Sequence, residues 1–185
     1  YLYGPSSAKN KKNVNVNICN NTINSFFAGM RVERSDFGKI NNNYITRDTN
    51  LARWCHGIFL GACYGKEICN NRINVSGLGG SPYTSWSSGG ISFYSGNVQG
   101  ASATDRLLFA NNEIIVTASS GSNGQAAKGI YCSSAPTHTD FLHNSVLMLG
   151  STSGTATASP LCLDIVNGTN LANKATIYNN NFINL

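Results

Sequence analysis

Ile68-Cys69-Asn70-Asn71-Arg72-Ile73 is an apolar residue, a free position, two Asn, a free position and a second apolar residue, and the chain repeats this phrase six times. The other five are Ile18-Cys19-Asn20-Asn21-Thr22-Ile23, Ile40-Asn41-Asn42-Asn43-Tyr44-Ile45, Phe109-Ala110-Asn111-Asn112-Glu113-Ile114, Phe141-Leu142-His143-Asn144-Ser145-Val146 and Ile177-Tyr178-Asn179-Asn180-Asn181-Phe182. Of the twelve paired positions, only the one held by His143 departs from Asn. A unit recurring at this spacing marks a solenoid, in which each unit buries its apolar face only by stacking on the next.

Asn suits the corner of such a coil for two reasons. A tight corner drives one residue towards left-handed φ/ψ, which costs an ordinary L-residue about 1–2 kcal/mol and which Asn tolerates. Its carboxamide also carries a donor and an acceptor, so Asn stacked in successive coils bond to one another. Each such bond is worth about 0.5–1.5 kcal/mol net. The expected ladder is Asn21, Asn43, Asn71, Asn112, Asn144 and Asn180, with His143 as a ladder substitute.

Between the Asn pairs a second phrase returns: Gly29-Met30-Arg31-Val32, Gly57-Ile58-Phe59-Leu60, Gly90-Ile91-Ser92-Phe93, Gly129-Ile130-Tyr131-Cys132 and Pro160-Leu161-Cys162-Leu163. Apolar residues alternating with anything give the period-2 pattern of a strand with one buried face. Each coil then holds three strands: one before the Asn pair, one after it, and one carrying the Gly-Ile phrase. Stacked coils place like strands side by side and parallel.

These phrases resemble the generic repeat of the right-handed parallel β-helix, the pectate-lyase-like superfamily, from Val14 to Leu185. The resemblance implies an all-β, single-stranded right-handed solenoid with the Asn pairs between its second and third sheets. Five to six turns are expected, about 25 Å along the axis, in one domain over residues 1–185. The superfamily spans lyases, hydrolases, esterases, epimerases, adhesins and phage tailspikes, so the fold does not settle an activity.

Composition narrows the classes. Charged residues are only 11% of the 185 and the formal charge is +5. Lys11-Lys12 is the one basic pair, without the Arg/Lys stripe interleaved with aromatics that a nucleic-acid surface needs. No apolar run is long enough for a membrane span, and no leader is visible at Tyr1–Pro5. The chain starts and stops close to a repeat, so a longer protein is expected, with an oligomeric neighbour or a flanking domain capping the raw strand ends. Localisation is expected to be extracellular or at the cell surface. Six Cys allow disulfides, with Cys55 and Cys63 the best local pair, but Cys19, Cys69 and Cys132 fall at stacking positions where Cys also serves as a small hydrophobe. No spacing suggests zinc, and neither a metal nor a cofactor is expected.

The segments between the third-sheet and Gly-Ile strands are long and rich in Gly, Ser and Thr: Val75 to Gly89, Thr117 to Lys128, and Gly150 to Ser159. They recur at one position and should form a wall along one edge, with Ser95 to Arg106 along the other. Loops on a rigid solenoid are where function is usually built. Alternation aims Arg31, Phe59, Ser92, Tyr131 and Cys162 outward between the walls, followed by Glu33, Gly61, Tyr94, Ser133 and Asp164. Phe59, Tyr94 and Tyr131 would stack on sugar faces, or be covered by loops and by one another. Trp86, at the crest of the longest loop, is a sugar platform or a hydrophobic anchor.

Catalytic signs are sparse. A glycoside hydrolase needs paired carboxylates, and the eight acids include no adjacent pair. Arg31, Glu33, Arg34 and Asp36 are the one dense charge group, with too few acids for a calcium site. They read as a solvated strand end. His56 is placed to act as an acid or base at the start of a Gly-Ile strand, or to serve structure alone. The remaining weak catalytic candidates are Arg31, Glu33 and Asp164. Two functions follow: a non-catalytic module binding polysaccharide or displaying loops, or a polysaccharide lyase or glycoside hydrolase working along the Gly-Ile sheet.

Overall fold

The structure, a computed structural model, describes residues 2–3, 14–24, 28–47, 55–78, 89–94, 100–119, 127–133, 136–150, 161–165 and 175–185. Among them are eighteen strands in six coils of three, and no helix. The first coil holds β1 (Leu2–Tyr3), β2 (Val16–Cys19) and β3 (Thr22–Asn24), and the second β4 (Ala28–Glu33), β5 (Phe37–Asn41) and β6 (Tyr44–Arg47). The third has β7 (His56–Gly61), β8 (Gly65–Cys69) and β9 (Arg72–Leu78), and the fourth β10 (Gly89–Phe93), β11 (Leu107–Ala110) and β12 (Glu113–Ser119). The fifth has β13 (Lys128–Cys132), β14 (Thr139–Leu142) and β15 (Ser145–Leu149), and the sixth β16 (Leu161–Ile165), β17 (Thr176–Tyr178) and β18 (Asn181–Asn184).

Every third strand joins the same sheet. The first sheet runs β1-β4-β7-β10-β13-β16, and the second and third stack their six strands in the same sequence order. All the pairings are parallel. The fold is a right-handed parallel β-helix.

Register makes the core a set of columns. The second sheet stacks Ile18, Ile40, Ile68, Phe109, Phe141 and Ile177. The third stacks Ile23, Ile45, Ile73, Ile114, Val146 and Phe182. In the middle coils these side chains are fully buried. Phe93, Phe109 and Phe141 meet edge-on or tilted, with centroids 5.1–6.1 Å apart.

The two Asn of each pair divide the work. The first takes the left-handed conformation: Asn20, Asn42, Asn70, Asn111, His143 and Asn179 have φ between 51° and 61°. The second builds the ladder, its Nδ2 donating to the Oδ1 of the next coil's Asn at 2.8–3.0 Å from Asn21 through to Asn180. Each receiving Oδ1 also accepts the preceding Asn's backbone N–H. In the second and later coils Nδ2 donates a second bond, to a carbonyl of the coil before. His143 is therefore not a ladder substitute. It holds the left-handed position, and Asn144 carries the ladder through that coil.

Glycine is required at the start of the first-sheet strands for a different reason. A Cβ on Gly29, Gly57, Gly90 or Gly129 would come within 2.6–2.7 Å of the carbonyl oxygen on the next strand and collide with a core side chain of the third sheet. Nothing larger fits there beneath the following coil.

All six Cys are free thiols. Cys55 and Cys63 lie at opposite ends of β7 and so do not bridge. Cys55 donates to the carbonyl of Ser76 and Cys63 to that of Gly61. Burial pushes the thiols of Cys69, Cys132 and Cys162 above the ordinary range.

Candidate functional site

The outer face of the first sheet brings together most of the expected site residues, in a register that differs at one end. Met30, Ile58, Ile91 and Ile130 stack inward, and the next residue of that column is Leu163, not Leu161. The outward row is thus Arg31, Phe59, Ser92, Tyr131 and Asp164, with Cys162 at the glycine position. The sequence phrase slips by two residues in this coil.

Along that row the side chains form one contact chain. Arg31 bonds Glu33 through Nε at 2.9 Å and Nη2 at 2.8 Å. Its guanidinium also lies 5.1 Å from the centroid of Phe59. Phe59 in turn contacts Tyr94 at 5.4 Å and His56 at 5.3 Å. Ser92 Oγ and His56 Nδ1 are hydrogen-bonded at 2.7 Å. Further along, Lys128 pairs with Asp164 while its Nζ sits 4.2 Å from the centroid of Tyr131. Burial, then the Asp164 charge, raises the Tyr131 hydroxyl above its usual range, so the phenol stays a neutral donor.

Exposure divides the row. Phe59 is 2% exposed and Ser92 1%. Rather than flooring an open groove they lie covered, Phe59 held among Arg31, His56 and Tyr94. Tyr94 and Tyr131 are partly exposed, as are Lys128 and Asp164. Trp86, residues 95–99 and most of the expected loop wall lie outside the described residues.

His56 is a poor proton carrier near neutral pH. Burial, reinforced by the Arg31 charge, depresses it to about 3, so the imidazole is neutral and weakly basic. Glu33 and Asp164 are equally unsuited to joint work. Glu33 on β4 and Asp164 on β16 are four strand spacings apart along the sheet, about 19 Å. Paired glycosidase carboxylates stand about 5–9.5 Å apart. Glu33, Glu67, Glu113, Asp140 and Asp164 each pair instead with a cation: Arg31, Lys39, Arg72, Arg106 and Lys128 respectively. Asp140 is held below the usual carboxylate range chiefly by its hydrogen bond from Arg106. Among the described residues no three of His, Cys, Asp and Glu gather as metal ligands would.

A second concavity of about 480 Å³ lies on the third sheet, lined among others by Glu113, Ile115, His143, Leu147 and Ile183. Its lining holds no Phe, Tyr or Trp ring. Sequence reasoning missed it because alternation was followed outward only along the Gly-Ile strands.

Comparison with protein families, with curated proteins and with solved structures found no match.

Proposed function

We propose that the chain is a non-catalytic module of a secreted or cell-surface protein, of the pectate-lyase-like kind of β-helix, that binds carbohydrate on the first sheet. The supporting observation is the group at the fifth and sixth coils. There the partly exposed Tyr131 ring is flanked by an ammonium and a carboxylate, Lys128 and Asp164. A sugar presents an apolar C–H face and a rim of hydroxyls. An aromatic ring serves the first, and a charged donor and acceptor beside it serve the second, since hydrogen bonds to charged groups are worth about 1.5–3 kcal/mol. Tyr94 extends the surface by one coil.

The cation pairing of five of the eight acids and the depressed His56 weigh against the lyase or hydrolase alternative. The test is a glycan array with wild type and Tyr131→Ala, run beside reducing-sugar and unsaturated-product assays on acidic and neutral polysaccharides. Binding that Tyr131→Ala abolishes, at an unchanged melting temperature and without product, is the expected result. Product formation, or binding indifferent to Tyr131, overturns the reading.

A further inference from the structure

We infer that the first sheet takes an uncharged carbohydrate, a neutral pyranose polymer held through two adjacent hydroxyls, and discriminates against uronate chains; this rests on the carbohydrate reading of that face. The chain carries a formal charge of +5, yet the six strands of the first sheet hold none of that excess. Their charged residues are Arg31, Glu33, Lys128 and Asp164, two cations and two anions. Each cation is already matched on the same face, Arg31 with Glu33 and Lys128 with Asp164. His56 stays neutral there. An anionic polymer is drawn and held by a surplus of positive charge along its path. The described strands of this sheet offer no such surplus.

At Tyr131 the matched charges keep bonding capacity in hand. Lys128, Tyr131 and Asp164 are all partly exposed. Lys128 Nζ carries three hydrogens, and its described partners are Asp164 Oδ2 and the face of the Tyr131 ring. Asp164 Oδ1 and the Tyr131 hydroxyl make no hydrogen bond among the described residues. A donor and an acceptor therefore stand side by side next to an aromatic ring. Two neighbouring hydroxyls of a pyranose complement them: one oxygen accepts from Nζ, the other hydroxyl donates to Oδ1, and the C–H face of the sugar meets the ring. The ion pair stays closed throughout. A uronate carboxylate has acceptors alone. It could reach Lys128 only beside or in place of Asp164, and two carboxylates would then share one cation in a partly covered site, where like charges repel more strongly than in water.

Titration calorimetry with matched polymers tests this: a soluble glucan, galactan and mannan, each beside its C6-oxidised uronan and the methyl ester of that uronan. On the backbone that binds, the neutral polymer should bind at least about tenfold more tightly than the uronan. The methyl ester keeps a substituent at C6 without the charge, and should recover the neutral polymer's affinity. Asp164→Asn removes the carboxylate that a uronate must displace, so the gap between neutral polymer and uronan should shrink to about threefold or less. A uronan that binds wild type as tightly as the neutral polymer, or more tightly, overturns the inference and leaves the carbohydrate reading standing. So does an ester as weak as the uronan, because bulk and not charge would then exclude it, and so does an unchanged gap in folded Asp164→Asn. The ester comparison uses wild type, and decides the matter even where circular dichroism shows Asp164→Asn unfolded. If no polymer of any backbone binds, the carbohydrate reading itself fails and this inference falls with it.

Discussion

Replacing Asn71 by Ala removes four side-chain hydrogen bonds from the centre of the ladder. Two are donated by Nδ2, to Asn112 Oδ1 at 3.0 Å and to the Ile40 carbonyl at 2.7 Å. Two are accepted by Oδ1, from the Asn43 backbone N–H at 3.1 Å and from Asn43 Nδ2 at 2.9 Å. Asn43, Asn71 and Asn112 are all buried, so water does not replace what is lost. Two donors on Asn43 are left without acceptors, at about 1–3 kcal/mol each. Their sum, with some relaxation, predicts a destabilisation of about 3–5 kcal/mol. The neighbouring Asn70 is the control. It is exposed with φ 56° and makes no ladder bond, so Asn70→Ala should cost only the left-handed penalty of about 1–2 kcal/mol. Urea denaturation followed by far-ultraviolet circular dichroism compares the two. Because solenoids unfold as coupled repeats, midpoints should be compared at matched slopes. Equal losses for Asn70→Ala and Asn71→Ala would refute the division of labour within the pair.

Gly90→Ala should destabilise by about 3 kcal/mol, since its Cβ would meet the Gly129 carbonyl oxygen at 2.7 Å and the Ile114 side chain; a melting temperature within a degree or two of wild type would contradict the close approach. His56 is neutral when folded down to about pH 3 but takes a proton near pH 6.5 when unfolded. Stability is therefore lost as pH falls from about 6.5 to about 3, with a slope approaching about 1.4 kcal/mol per pH unit. His56→Gln should flatten that slope, and an unchanged pH profile would show that His56 protonates freely in the fold. Arg47 stands in the core column of Val75 and is buried, its three guanidinium nitrogens without hydrogen-bond partners among the described residues. Arg47→Met should thus raise stability, by about 1–4 kcal/mol on the precedent of buried charges replaced by hydrophobes; a loss would reveal an anionic partner.

The fold was legible because the six Asn phrases recur where tight stacked corners favour Asn, between apolar residues that alternate as strands do. The roles inside the pair were not, since both demands fall on one residue type and only backbone φ separates them; His143 was assigned to the wrong one. The register of the sixth coil was misread because Cys162 stands in the glycine column there, so Pro160-Leu161 looked like the missing Gly-Ile. Arg47 escaped notice because an inward Arg breaks the apolar pattern that alternation relies on. Cys55 and Cys63 are close in sequence, but a whole extended strand lies between them. Of the site, the outward direction of Phe59, Ser92 and Tyr131 followed from alternation; that the first two are covered while Tyr131 is not depends on packing that alternation cannot register.

Chemical-shift mapping of the labelled protein with an oligosaccharide that it binds, kept in the tube for several days, addresses the functional proposal most directly. Shifts concentrated at Tyr94, Lys128, Tyr131 and Asp164, with the sugar's anomeric signals unchanged throughout, are the predicted result. New anomeric or unsaturated-sugar signals would contradict the non-catalytic reading, and shifts centred on Ile115, Leu147 and Ile183 would move the site to the third sheet.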